Sequence, residues 1–305
     1  METNNTMPNS LITSSPHNLI PKVIHYCWFG RGEMPELVQT CIASWHTYMP
    51  DWEYRLWDEA SLSQTLNKPI PNHCSMNVHL GYSIEQSSSP IKGREQNPPK
   101  IPTQSNDSDW LEHMPRYVQE AYAAKKYAFV SDYVRLWALE QEGGLYMDVD
   151  FEVYKPFDDL MEQYEAFAGY EGSKRNPVMM GVIAAKAHHS WIQGMMETYE
   201  QRAFVKADGS LDMTPNTGYF LQWMQERGFV ADGVEKDWMG VHVLPVECFC
   251  PGLTTGENLR CERTYCEHKG LHSWSGNGGW KAKVLSLVGQ KWKTKLIKWK
   301  RRIFG

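Results

Sequence analysis

Residues 143–156 read GGLYMDVDFEVYKP, and three of them, Asp148, Asp150 and Glu152, are carboxylates spaced two apart. In an extended strand, positions two apart share a face and lie about 7 Å from each other. Leu145, Met147, Val149, Phe151 and Val153 would share one face, and Tyr146, Asp148, Asp150, Glu152 and Tyr154 the other. Three carboxylates in a row repel one another unless water or a cation intervenes. A half-buried strand with a wetted polar face explains the alternation but not the choice of acids. Two short carboxylates suit a hard divalent cation that already carries phosphate oxygens, because Mg2+ and Mn2+ take a few carboxylates and complete their shells from substrate.

Asp-x-Asp alone is shared by unrelated chemistries. An EF-hand loop starting at Asp148 needs Gly at its sixth position and meets Val153, so that reading fails. A phosphatase of the haloacid dehalogenase type would use Asp148 as nucleophile but expects Thr or Val at the fifth position, where Glu152 stands. That weakens it without removing it. A glycosyltransferase that holds a metal on a nucleotide diphosphate and a non-catalytic carbohydrate-binding protein stay open beside it.

The elements that must position these acids can be read on either side. The run KVIHYCWFG, residues 22–30, is apolar, rich in β-favouring residues and ends on Gly, as a buried strand of a parallel sheet does. After Pro35 the spacing of Val38, Cys41, Ile42, Trp45 and Tyr48 predicts a helix that stops at Pro50. WEYRLW follows as a second strand, and strand, helix, strand is the α/β pattern. Residues 67–109 lose all period in Pro, Ser, Asn and His, which predicts a mobile inserted loop. Residues 117–144 read as one Ala-rich helix with Gly143 at its C-cap. Beyond the acidic strand come a third α/β stretch around Gly181, a helix near residues 191–202, a further helix late in TPNTGYFLQWMQERG, and a loop-rich region over residues 241–280. There is no internal repeat.

With 305 residues, 42% of them hydrophobic, the chain can bury a sizeable core. Thirteen Trp and fifteen Tyr serve either a packed core or stacking surfaces for planar and sugar-like ligands. No stretch reaches the roughly 18 apolar residues of a membrane span, and the first eighteen residues are polar, without a basic start or apolar run, so they predict a disordered tail rather than a signal peptide. Seven cysteines, an odd number in a chain of this size, fit a reduced cytoplasmic setting.

The net charge of −5 conceals an asymmetry. Residues 281–305 carry nine Lys or Arg and no acid, leaving 22 basic and 36 acidic side chains elsewhere, a balance of −14 that repels nucleic acid. In the tail, Trp292, Leu296, Trp299 and Ile303 make one helical stripe among basic residues. The pattern predicts an amphipathic helix lying on an anionic bilayer, each basic residue contributing about 1 kcal/mol; packing of that stripe on the domain is the alternative. The first reading locates the protein in the cytoplasm, peripheral on the inner face of the cytoplasmic membrane.

Taken from IPKVIHYCWFG through YAFVSDYVRLWALEQEGGLYMDVDFEVYKPFDDLM to TYCEHKGLHSW, the chain resembles the capsular-polysaccharide glycosyltransferases with a DXD sugar-binding region, family 32, related to the yeast initiating mannosyltransferase and to clostridial glucosylating toxins. The likeness runs from Ile20 to about Trp280 and excludes the loop and both tails. It implies a single GT-A domain over residues 19–280, a Rossmann-like mixed sheet flanked by helices. It also implies retention of anomeric configuration, Mn2+ or Mg2+ as cofactor, a nucleotide sugar donor with UDP favoured over GDP, and an oligosaccharide or lipid-linked glycan as acceptor.

Residue by residue, the resemblance assigns Trp28 to stacking on the nucleotide base, with a core Trp as the alternative. It assigns Asp132 and Arg135 to gripping the donor sugar hydroxyls, where spacing alone would give a surface ion pair worth a few tenths of a kcal/mol. Asp148 and Asp150 become the metal-holding pair, Asp148 also near the ribose, while Tyr146 and Glu152 flank them without a role. Near the end, His268 is assigned to the metal and Ser273 and Trp274 to the diphosphate, with His272 a competing imidazole. Asn176, Thr217 and Gly218 resemble active-site loops more loosely. Cys248, Cys250, Cys261, Cys266 and His268 raise structural zinc, yet their C-x-C and C-x4-C spacings are not the usual zinc knuckles.

Overall fold

The alternation in residues 145–147 is that of a central strand, and a computed structural model shows what it divides. The structure describes residues 20–66, 106–172, 177–252 and 259–270. Strands β1 (Val23–Cys27), β2 (Glu53–Trp57) and β3 (Gly144–Met147) run parallel, with β1 between the other two. Strand β6 (Val178–Ala185) lies antiparallel to both β3 and β5 (Ala166–Tyr170). Strand β8 (Val241–Leu244) then pairs parallel with β5, and β7 (Lys236–Trp238) closes the edge antiparallel to β8. The order β2-β1-β3-β6-β5-β8-β7 is therefore a mixed sheet. A separate two-stranded ribbon joins β4 (Phe151–Val153) to β9 (Cys266–His268).

Each face of the main sheet carries its own apolar layer. Leu145 and Met147 pack with Ile24, Trp45 and Phe249 on one side, whereas Tyr146 packs with Val134, Leu139 and Ile183 on the other. Helix α1 (Glu36–Tyr48) covers the first face and α4 (Tyr127–Glu142) the second. With α2 (Glu59–Leu66), α3 (Arg116–Ala123), α5 (Asp158–Gln163), α6 (Ser190–Glu197), α7 (Asn216–Gln225) and α8 (Val246–Phe249), helices flank the mixed sheet, the arrangement expected from the sequence. Trp45, Trp57, Trp110 and Trp191 are fully buried, so much of the aromatic load is core. Among the described residues no helix is long and apolar enough to cross a membrane.

Several expectations need correction. The acidic segment is not one strand: β3 ends at Met147, Asp148 N–H donates to Gly181 O at 2.7 Å, and a turn over Asp148–Phe151 leads into β4 of the other sheet. Alternation persisted because both short strands bury their apolar residues, although on different partners. The Ala-rich helix is two helices, broken where Lys125 takes a left-handed φ of 56°. In α1 the buried face is narrower than the spacing implies, since Ile42 is half-buried and Tyr48 is 40% exposed. The inserted loop ends sooner than its composition suggests, because Asn106–His113 forms a 3-10 helix with Trp110 in the core. The region after Val241 contains β8, α8 and β9. The terminal segments 1–18 and 281–305, and residues 67–105, lie outside the described residues.

Because β4 sits beyond the main sheet, its free edge needs partners, and α1 supplies them. Trp45 Nε1 donates to Phe151 O at 2.7 Å, and Ser44 Oγ accepts from Val153 N–H at 2.9 Å. A Trp45→Phe variant therefore orphans a buried carbonyl and opens space beside it. It should lower the unfolding free energy by about 1–3 kcal/mol for the carbonyl alone, read by chemical denaturation; an unchanged midpoint would show that α1 does not hold β4.

Candidate active site

Parallel β1 and β3 end side by side, so the residues after them open into a crevice at the carboxyl edge of the sheet, the usual ligand position in α/β folds. Trp28 follows β1 and Asp148 follows β3, while α4 supplies Asp132 and Arg135 from one helical face. The turn adds Asp150, and β9 returns from the far end of the chain to add His268. All six line one cavity of about 540 Å3. Ser273 and Trp274, assigned with them, lie outside the described residues, as do His272 and Asn176.

Arg135 is the centre of the charge arrangement. It is only 5% exposed, which removes the surface-pair alternative. Its Nη1 donates to Met180 O at 2.5 Å, and its Nη2 donates to Asp132 Oδ1 at 2.8 Å and lies 3.4 Å from Asp148 Oδ1. Burial disfavours its charge, but Asp148, Tyr146 and Asp132 together raise its pKa above the ordinary arginine value. Burial pushes Asp132 up to about 6 against the opposing pull of Arg135. Asp148 is raised as well, first by burial and then by its neighbour Asp150, with Arg135 resisting.

The sequence singled out Tyr146 without a role and gave Asn216, the first residue of the loosely matched NTGYF stretch, none either. Tyr146 donates its hydroxyl to Asp148 Oδ1 at 2.7 Å, fixing that carboxylate's rotamer. Asn216, at the N-terminus of α7, donates Nδ2–H to Asp132 Oδ1 at 2.8 Å and is 7% exposed. The nearby TPNTG segment held a signal in its helix-start chemistry, and Thr217 does line the cavity. Gly181 faces Asp148 from β6; a Cβ there would stand 2.8 Å from Asp148 Oδ2 and 2.8 Å from Phe151, so only Gly leaves the carboxylate its place. Trp28 is half-buried, its Nε1 donating to Gly32 O at 2.6 Å, with the ring on the cavity wall rather than in the core.

His268 Nε2 lies 3.0 Å from Asp150 Oδ2, and its ring stacks on Phe151 at 4.7 Å. Burial works against the imidazolium, yet the hydrogen bond and charge of Asp150 raise the pKa of His268. Two carboxylates and an imidazole thus face one cavity, a donor set that fits Mn2+ or Mg2+. Among the described residues no group of three His, Cys, Asp or Glu side chains is already drawn together around a metal position. Asp148 Oδ1 is engaged by Tyr146 and lies beside Arg135, so Oδ2 is the oxygen that can serve a ligand. Cys248, Cys250 and Cys266 are buried in the core, where burial raises their thiols, while Cys261 is exposed, so they do not share a zinc-binding arrangement.

The raised pKa of Asp132 has a sign. Its buried charge costs stability above about pH 6 and costs nothing once it is protonated in both folded and unfolded states, below about pH 4. An Asp132→Asn variant should therefore match or exceed the parent in stability at pH 7.5, by up to about 3 kcal/mol, with the gain vanishing towards pH 4. Thermal unfolding across that range checks it, and a loss of stability at pH 7.5 would contradict it.

Residues 35–167 match the family described as the glycosyltransferase sugar-binding region containing DXD motif. A stretch of 49 residues is 45% identical to Glucan organizing enzyme 1 of Cryptococcus neoformans var. grubii serotype A, covering 16% of this chain and 13% of that curated relative. Among solved structures the chain is similar to the PaToxG glycosyltransferase, at 18% identity and a TM-score of 0.42 over 69% of this chain and 70% of that one. It is also similar to the UDP-bound glycosyltransferase domain of the YGT toxin, at 12% identity and a TM-score of 0.34 over 59% and 61%. A third likeness is to the galactosyltransferase LgtC in complex with donor and acceptor sugar analogs, at 14% identity and a TM-score of 0.32 over 74% of each chain. Asp132, Arg135, Asp148 and Asp150 all lie inside the segment that matches this sugar-binding region.

Proposed function

We propose that the protein transfers a hexosyl unit, with retention of configuration, from a nucleotide sugar to a saccharide acceptor in surface polysaccharide synthesis. The observation that carries this reading is the cavity itself: an aromatic wall at Trp28, a buried Asp132–Arg135 pair and the Asp148, Asp150 and His268 donor set, all within about 540 Å3. A UDP-sugar is the first donor to test. Trp28 stacks on the base. Arg135, held ionised by its neighbours, and Asp132, held by Asn216, orient the sugar hydroxyls. Asp148, Asp150 and His268 would hold Mn2+ or Mg2+, which when bound supplies Lewis-acid stabilisation of the charge developing on the diphosphate.

No carboxylate is assigned as a nucleophile on the opposite sugar face, so the reading takes front-face substitution through an oxocarbenium-like transition state. The catalytic unit is residues 19–280, with an insertion that begins at residue 67 and ends before the 3-10 helix at Asn106–His113. Residues 281–305 hold it on an anionic membrane from the cytoplasmic side, near a lipid-linked acceptor.

Release of UDP from a panel of UDP-hexoses should require Mn2+ or Mg2+ and fall by roughly 100-fold or more in Asp150→Asn. Turnover that ignores both the metal and the substitution would remove the metal from the reading, and glycan binding without turnover of any nucleotide sugar would favour a binding protein. Flotation with anionic liposomes should be lost when residues after Gly289 are deleted. Equal flotation of both proteins would refute the membrane role of the tail.

A further inference from the structure

The third acid of the opening motif, Glu152, does not face the cavity with the other two. It lies on β4, where the register pairs Phe151 with His268, Glu152 with Glu267 and Val153 with Cys266. Successive residues of a strand face opposite sides, so Phe151 and His268 occupy the site side of the ribbon and the two glutamates oppose each other on the reverse. Like charges directly across an antiparallel pair destabilise it. Lys269, the residue after β9, answers this repulsion: its Nζ lies 2.7 Å from Glu152 Oε2 and 2.8 Å from Glu267 Oε2. It also donates to the Tyr154 hydroxyl at 2.8 Å, and that hydroxyl is within hydrogen-bond distance of both carboxylates. The same residue's backbone N–H donates to Asp150 O at 2.8 Å. These side chains are about two-thirds or more covered, at 27%, 33% and 25% exposed for Lys269, Glu152 and Glu267.

We propose that Lys269 is a positioning residue whose cation neutralises the Glu152–Glu267 pair and thereby locks the one register in which His268 meets Asp150. A slip by one residue would turn every side chain of β9 to the other face. Glu267 would enter the cavity and the imidazole would leave it. The link from this lock to metal binding rests on the reading of Asp150 and His268 given above; the lock itself does not.

Lys269→Met removes the cation bonded to both glutamates and leaves Arg260, which lies over the Tyr154 ring, as the other positive charge acting on them. In the full-length protein, hydrogen exchange at the cross-ribbon amides of Tyr154 and Lys269 should quicken by about tenfold, and Mn2+ affinity, read from the electron paramagnetic resonance of free Mn2+, should fall about 10- to 100-fold, as when an outer partner of a metal ligand is lost. The double variant Lys269→Met/Glu267→Gln removes the repulsion and should restore both readouts to near the parent. If Lys269→Met does not fold, folding of the double variant is the same rescue. Unchanged exchange in a folded Lys269→Met, or a double variant no better than the single one, would overturn the proposal. Exchange that responds as expected in a protein that binds no Mn2+ would uphold the lock and remove the metal reading instead.

Discussion

One buried guanidinium organises the charges of this molecule. Arg135 reaches the Met180 carbonyl, Asp132 and Asp148 from a position with almost no access to solvent. A charge buried there is tolerable only because its acceptors surround it. The dependence runs both ways. Asp132 and Asp148 are already displaced upward by burial and are kept ionisable by Arg135. The helix that carries the arginine, the strand end that carries Asp148 and the β6 backbone at Met180 are thus held to one another by a single side chain.

That arrangement raises Asp132 and Asp148 above the ordinary carboxylate range. Asp150 adds to the strain on Asp148 and is itself eased by His268. A divalent cation bound there would relieve the same repulsion more completely than an imidazole, and its binding would compete with a proton for His268.

Local periodicity made much of the scaffold legible. Strands β1 and β2, helix α1 and the apolar face of β3 follow from spacing because each lies against a continuous apolar layer, whereas the burial of Tyr146 on the opposite face of β3 does not. Spacing could not show that the chain leaves the main sheet at Asp148, since Phe151 and Val153 continue the alternation while packing on a different sheet. Nor could it show the break at Lys125, because Ala and Lys are strong helix formers and neither Gly nor Pro marks the bend. At the site, the Asp148–Asp150 pair announced itself by chemistry, and Asp132 with Arg135 by resemblance. The meeting of Asp150 with His268 has no local signature, being a contact across 118 residues. Asn216 and Glu152 acquired their roles only from what the fold brings against them.

The ribbon has a consequence for how the protein is born. During synthesis β4 emerges more than a hundred residues before β9, so the growing chain spends that interval with one flank of β4 unpaired and the last imidazole of the site not yet made. A fragment cut short before Cys266 would keep the sheet's seven strands and the arginine cluster but lack the pocket's final wall. Truncated products of translation are thereby born without the complete donor-facing surface, and completeness of the polypeptide becomes a condition built into the geometry of the site.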